Sequence, residues 1–167
     1  PAVFKTHLSQ SKLLKKYQET GKPQIKLLPL KAGRGFNKMP KDSVNDLYFD
    51  IEGLDKILNP EENSQSKSGL EYLFGIYNHG NTKEPYTCFW AHNKEEEREQ
   101  FISLLNFIEK HLKKHPESHI YHFNHYEKTA LIKLCNKHDT KVEQVNDLLR
   151  EGKLVDLKNV AVSYTHL

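Results

Sequence analysis

The sequence predicts a mixed α/β sheet flanked by helices, and three observations predict it. Residues 47–52, 70–78 and 86–91 are short runs rich in aromatic and β-branched residues and bounded by turn signals, so they read as a three-strand meander. Helical periodicity then alternates with two further strands, giving the order β-β-β-α-β-α-α-β. A meander followed by such alternation demands both antiparallel and parallel pairing.

Taken in order, residues 3–19 form a helix, with Leu8, Leu13, Leu14 and Tyr17 at roughly helical spacing and Gly21 and Pro23 stopping it. Residues 22–46 are linker and loop. The Gly33-Arg34-Gly35 triplet within them is no phosphate loop, since no Lys-Ser/Thr follows it and no convincing strand precedes it. The compact domain begins near Asp46 with the strand 47–52. A polar loop, 53–68, carries Asn59-Pro60-Glu61-Glu62-Asn63-Ser64 and leads to the strand 70–78. The turn Asn78-His79-Gly80-Asn81 folds that strand onto Tyr86–Ala91. Asn93 is a helix N-cap ahead of Glu95, Glu96 and Glu97, in the turn where the helix dipole favours acids. Phe101, Leu104, Leu105, Ile108 and Leu112 mark its buried stripe, and Pro116 closes it. His119–Phe123 form a fourth strand. A helix over 125–138 follows with Ala130, Leu131, Leu134 and Cys135 inward, then a short helix over 141–150 ended by Gly152. Leu154–Val160 are read as the fifth strand.

Hydrophobic residues at 37% and charged residues at 28% fit a water-soluble domain with a modest core. The longest apolar runs are a few residues, far short of a bilayer span. No leader is visible, and Cys88 and Cys135 are solitary, which fits a reducing, cytoplasmic setting. The chain opens on Pro1, so its native N-terminus is expected to lie upstream. Charge is uneven. Residues 1–41 hold ten Lys/Arg against one acid, net +9, and residues 42–167 hold fifteen against twenty-one, net −6. A basic arm beside an acidic domain suits either phosphate contact, through Lys12, Lys15, Lys16 and Arg34, or a merely solvated Lys-rich helix face.

The chemistry-bearing clue is Leu47-Tyr48-Phe49-Asp50-Ile51-Glu52. Side chains alternate along a strand, so Asp50 and Glu52 share a face opposite Leu47, Phe49 and Ile51. Paired carboxylates on an otherwise apolar strand repel each other and lose hydration, which a divalent cation would offset. Glu127 is a third acid, in the first turn of its helix and on the same face as Leu131 and Leu134. Asn124 precedes it at a strand end, and Asp156 sits between Val155 and Leu157. Acids without cysteine suit hard cations such as Mg²⁺ or Mn²⁺. His119, His122 and His125 make no zinc site, because the first two point to opposite strand faces and the third begins a helix. His122 reads as either a substrate contact or a hydrogen-bonded core histidine. Tyr86, Phe89 and Trp90 read as core packing of the third strand, with base stacking as the alternative.

Tyr48-Phe49-Asp50-Ile51-Glu52-Gly53 resembles the first motif of the DEDD exonucleases, which have a ribonuclease-H-like fold, and Asn124-His125-Tyr126-Glu127 resembles their second, with Glu in place of Asp. Together with Gly69-Leu70-Glu71-Tyr72-Leu73-Phe74-Gly75, Phe89-Trp90-Ala91-His92, His119–Glu127 and Asp147-Leu148-Leu149-Arg150, these resemble the YprB-type ribonuclease-H-like domain of RecB-like nucleases. The resemblance covers about 46–160. Residues 1–45 resemble the basic helical arm joining an upstream RecB-type nuclease domain, with a helicase as a possible downstream neighbour. The tail 161–167 departs from the family pattern and looks foreign. The resemblance implies a metal-dependent 3′–5′ exonuclease acting on nucleic acid, DNA in particular. Asp50, Glu52 and Glu127 would be catalytic and would ligate Mg²⁺ or Mn²⁺; Asp156 would be a further ligand or, as more often in the family, a structural acid at the strand end; His122 and Tyr126 would meet substrate, and Asn124 would orient the second motif or the substrate. The fold would be C-terminally incomplete, because these enzymes draw a fourth carboxylate from a motif beyond Leu167. Whether this chain alone is active stays open. The rival readings are a non-catalytic module that positions nucleic acid and a protein-binding domain whose acids are ion-paired.

Overall fold

The structure, a computed structural model, describes residues 2–26, 31–54 and 69–165, with residues 2 and 163–165 described by their backbone alone. The expected loop sequence 59–64 lies outside the described residues. The chain divides into two compact units, Pro1–Lys38 with Val160–Leu167, and Met39–Asn159. The first contains α1 (Ala2–Thr20) and a single 3₁₀ turn, Gly35–Lys38. Gly21 ends α1 in the left-handed region (φ 65°), and its N–H donates to the Tyr17 carbonyl at 2.8 Å. No helix of the described residues is long and apolar enough to cross a membrane.

From Leu47 onward the elements are β1 (Leu47–Leu54), β2 (Leu70–Asn78), β3 (Tyr86–Trp90), α2 (Lys94–Lys114), β4 (Ile120–His122), α3 (Tyr126–His138), α4 (Val142–Arg150), β5 (Leu154–Asp156) and α5 (Leu157–Thr165). The five strands form one sheet in the order β3-β2-β1-β4-β5. β1 is central. It pairs antiparallel with β2 and parallel with β4, and β4 pairs parallel with β5. This is the mixed α/β sheet that the sequence predicts.

Alternation along β1 buries Leu47, Phe49 and Ile51 and exposes Tyr48, Asp50 and Glu52. The buried set joins Phe74 and Ile76 of β2 and Ile120 of β4. Phe101, Leu104, Leu105 and Ile108 of α2, Ala130, Leu131, Leu134 and Cys135 of α3, and Val145 and Leu148 of α4 close over them. Each such large side chain contributes roughly 1.5–3 kcal/mol by leaving water. α2 starts as expected at Asn93, whose Oδ1 accepts the Glu96 N–H at 2.8 Å while the Glu96 carboxylate accepts the His92 N–H at 2.9 Å.

Two expectations need correction. The fifth strand stops at Asp156 rather than Val160, because the Asp156 Oδ1 accepts from the Lys158 and Asn159 N–H groups at 2.9 and 3.2 Å and starts α5 there. Tyr86 and Trp90 are not core residues. They are 72% and 52% exposed, because β3 is an edge strand and both lie on the uncovered face; only Phe89 packs against the core.

Candidate functional site

The exposed face of β1 carries Asp50 and Glu52 about 6.6–6.8 Å apart along the strand. Asp50 is paired in register with Gly75, which is paired in turn with Cys88, so no bulky side chain stands opposite it on β2. A side chain added at Gly75 would meet only the Asp50 carbonyl, at 3.9 Å. Among the described residues, no Lys or Arg forms an ion pair with Asp50 or Glu52. The ion-paired arrangement of the protein-binding reading is therefore not what these two acids show.

Glu127 comes from α3 and is buried at 3% exposure. Its Oε2 lies 3.2 Å from the His122 Nδ1. Burial pushes the Glu127 carboxyl above the ordinary glutamate value. Its own backbone N–H and His122 oppose that rise, and the charge of Asp50 adds to it. The field of Asp50 thus reaches Glu127. His122 is fully buried, and its Nε2 has no hydrogen-bond partner among the described residues. No edge of its ring meets solvent, so its contact is with Glu127 rather than with a ligand at the surface.

Asn124 turns the chain from β4 into α3 with φ 75°, a left-handed conformation that Asn tolerates. Its N–H donates to the Asp156 Oδ1 at 2.9 Å, and its Oδ1 lies 2.7 Å from the His125 Nδ1. Asp156 therefore gathers three backbone N–H groups on one oxygen and fixes the β4–α3 turn against the start of α5. Both residues brace the loop that carries Glu127.

Tyr126 is tied across β1. Its hydroxyl donates to the Glu71 Oε2 at 2.9 Å. The pair crosses above Gly53, where a methyl group would fall 2.0 Å from the Glu71 carboxylate and 2.6 Å from the Tyr126 hydroxyl. Gly53 follows Glu52 at a register shift in the β1–β2 ladder, so glycine here makes room for the crossing. Glu71 is held in turn by Glu97, whose Oε1 accepts the Glu71 N–H at 2.7 Å. Glu97 is fully buried, with its Oε2 2.5 Å from the Lys137 Nζ and 2.7 Å from the His138 Nε2. Burial raises the Glu71 carboxyl above its usual range; the Tyr126 hydrogen bond opposes that, and Glu97 adds to it. Read from the sequence, Glu71 carries no role and Glu97 only a helix-dipole one. The available signal was an acid inside an apolar strand for Glu71. For Glu97, one of three consecutive glutamates, there was none.

Among the described residues, no three His, Cys, Asp or Glu side chains converge where one ion could sit. The donor set still suits a hard cation: two accessible carboxylates on one strand face, free of any described Lys or Arg, and a third, Glu127, that feels the charge of Asp50. No curated protein and no solved structure matches the chain. The RNase H superfamily model matches residues 47–166, which span every strand of the sheet and reach into the tail that the sequence analysis set apart. The order of the sheet, the acids on its central strand and this match agree, and the chain belongs to the RNase H superfamily.

Proposed function

We propose that this domain is a divalent-cation-dependent 3′–5′ exonuclease acting on nucleic acid, with DNA as its substrate. Membership in the RNase H superfamily points to nuclease-type handling of nucleic acid. The observation that carries the finer reading is the placement of Asp50 and Glu52 together on the exposed face of the central strand. Their mutual repulsion is what a bound Mg²⁺ or Mn²⁺ would relieve. When bound, such ions activate a water and stabilise the oxygen leaving phosphorus. Asp50 and Glu52 would hold them. Glu127 is the third carboxylate; burial and Asp50 both disfavour its charged form, so a cation is what would stabilise that form. His122 holds Glu127 in place, Asn124 and Asp156 brace its loop, and Tyr126 ties the start of α3 to β2.

A second reading, a module that positions nucleic acid without cutting it, is favoured by the lack of a three-carboxylate convergence among the described residues. Incubating the protein with 3′-labelled single-stranded and duplex DNA and Mn²⁺ separates the two. On the exonuclease reading, Asp50→Ala lowers the degradation rate at least about a hundredfold, in line with the several kcal/mol that a metal ion supplies. Equal rates for the two proteins would refute it. Retention of DNA with no cleavage by either would establish the positioning role.

A further inference from the structure

On the same exposed face, at the start of β1, the second unit holds a cavity of about 360 Å³ whose lining includes Tyr48, Tyr121, His79, Asp42, Asp46 and Leu157. A volume of this order belongs to small-ligand sites. Its walls are aromatic. Tyr48 and Tyr121 are stacked with centroids 5.5 Å apart at 27°, and Tyr48 keeps 45% of its surface exposed. Its charge is negative, since two carboxylates and no Lys or Arg line it. Asp46 is fixed and 4% exposed, its Oδ2 accepting the Ser43 N–H at 2.9 Å and its Oδ1 the His119 N–H at 2.8 Å. Its Oδ1 also lies 3.7 Å from the His119 Nδ1, so Asp46 adds charge to the wall rather than a free acceptor. Asp42 has neither an ion pair nor a hydrogen bond among the described residues. Burial, with the carboxylates of Asp46 and Asp42 and the neighbouring Tyr48, pushes the Tyr121 hydroxyl up to about 12, so at neutral pH it stays an uncharged donor.

These features discriminate among ligands. Phosphates and carboxylates are repelled by Asp42 and Asp46. A hard divalent ion wants several oxygen ligands and gains nothing from phenol faces. An ammonium is compact and strongly hydrated. A guanidinium is planar, weakly hydrated, stacks on aromatic rings and donates to carboxylates in a fork. We propose that this cavity receives the guanidinium of an arginine side chain presented by a partner polypeptide, with the exposed part of the Tyr48 ring as its aromatic contact, Asp42 as its acceptor and the buried Asp46 adding negative charge behind them. The site begins at Tyr48, two residues before Asp50 on the same strand face, and its occupation requires no nuclease activity.

The test is amide NMR of the whole chain titrated with N-acetyl-arginine amide, with the neutral isostere N-acetyl-citrulline amide and with Mg²⁺ alone. The arginine probe should give saturable shifts at Asp42, Tyr48, His79 and Tyr121, and the citrulline probe should bind at least about tenfold more weakly, as loss of a charge-assisted contact dictates. Asp42→Asn should weaken the arginine probe about fivefold or more. Asp42 lies at the surface, and an unchanged spectrum away from the cavity verifies that the variant folds. Glu109→Gln, on α2, should leave binding unaltered. Equal binding of arginine and citrulline probes, an unaffected Asp42→Asn variant, or the same shifts from Mg²⁺ at equal concentration would each overturn the proposal.

Discussion

The two faces of the sheet are built from alternate residues of the same strands, yet they answer to different demands. Leu47, Phe49 and Ile51 lie under α2, α3 and α4, and every one of them is buried. Tyr48, Asp50 and Glu52, one residue out of phase, are exposed, as are Tyr86 and Trp90 further along the sheet. The covered face is mostly apolar volume, with Glu97, His122 and Glu127 as its buried, paired polar groups. The opposite face carries a row of phenols from four strands, Tyr86, Tyr77, Tyr48 and the buried Tyr121, each ring within 6 Å of the next, and two acids. Its residues make contacts of chemical kind rather than bulk. Function accumulates where packing leaves positions free.

The largest expected effects fall on the covered side. Glu97→Ala deprives the Glu71 N–H, the His138 ring and the Lys137 ammonium of one fully buried acceptor, at about 1–3 kcal/mol for each buried donor left unpaired; urea unfolding measures it. Phe101→Ala, at 0% exposure, costs a similar 3–5 kcal/mol or so through cavity formation. Tyr86→Ala on the other face costs roughly 1 kcal/mol or less, the worth of its ring contact with Tyr77. If the two aromatic deletions cost the same, the contrast between the faces fails. Between these limits stands Gly53→Ala, which forces the Tyr126–Glu71 bond apart and costs about 1–3 kcal/mol, read as a fall in Tm.

The smallest effect is one of pH. The Glu71 carboxyl lies above its ordinary value in the folded chain, so between that value and the raised one the folded chain holds a proton that the unfolded chain has released. Its contribution therefore turns unfavourable as pH rises through that window and stays so at neutrality. Glu71→Gln should be at least as stable as the parent at pH 7, and its advantage should shrink as pH falls through the window. An advantage that grows on acidification would contradict the burial of this group.

The architecture was legible because it rests on periodicity. The alternation of β1 placed Asp50 and Glu52 on one face, the Asn93 cap placed α2, and the stripe from Phe101 to Ile108 placed its buried side. The sequence overextends the fifth strand because Val155, Leu157 and Val160 look β-like, while the short carboxylate of Asp156 ends it by taking two backbone N–H groups ahead of it. The third strand reads as core from the sequence because aromatic residues favour both burial and strand edges, and only the position of β3 at the edge decides between them. The tie between Glu71 and Tyr126 joins residues 55 positions apart. No local spacing encodes such a pair; it follows from the register of β2 on β1 and from the missing side chain at Gly53.

Glu97 has one more consequence. A single carboxylate engages the last turn of α3, the first turn of α2 and the opening peptide of β2, while Lys137 also donates to the Gly69 carbonyl at 2.8 Å. Helix and strand termini usually fray one at a time, each at little cost. Here three termini share one anchor, so none can loosen without releasing the others, and this corner of the domain opens as one cooperative block or stays shut.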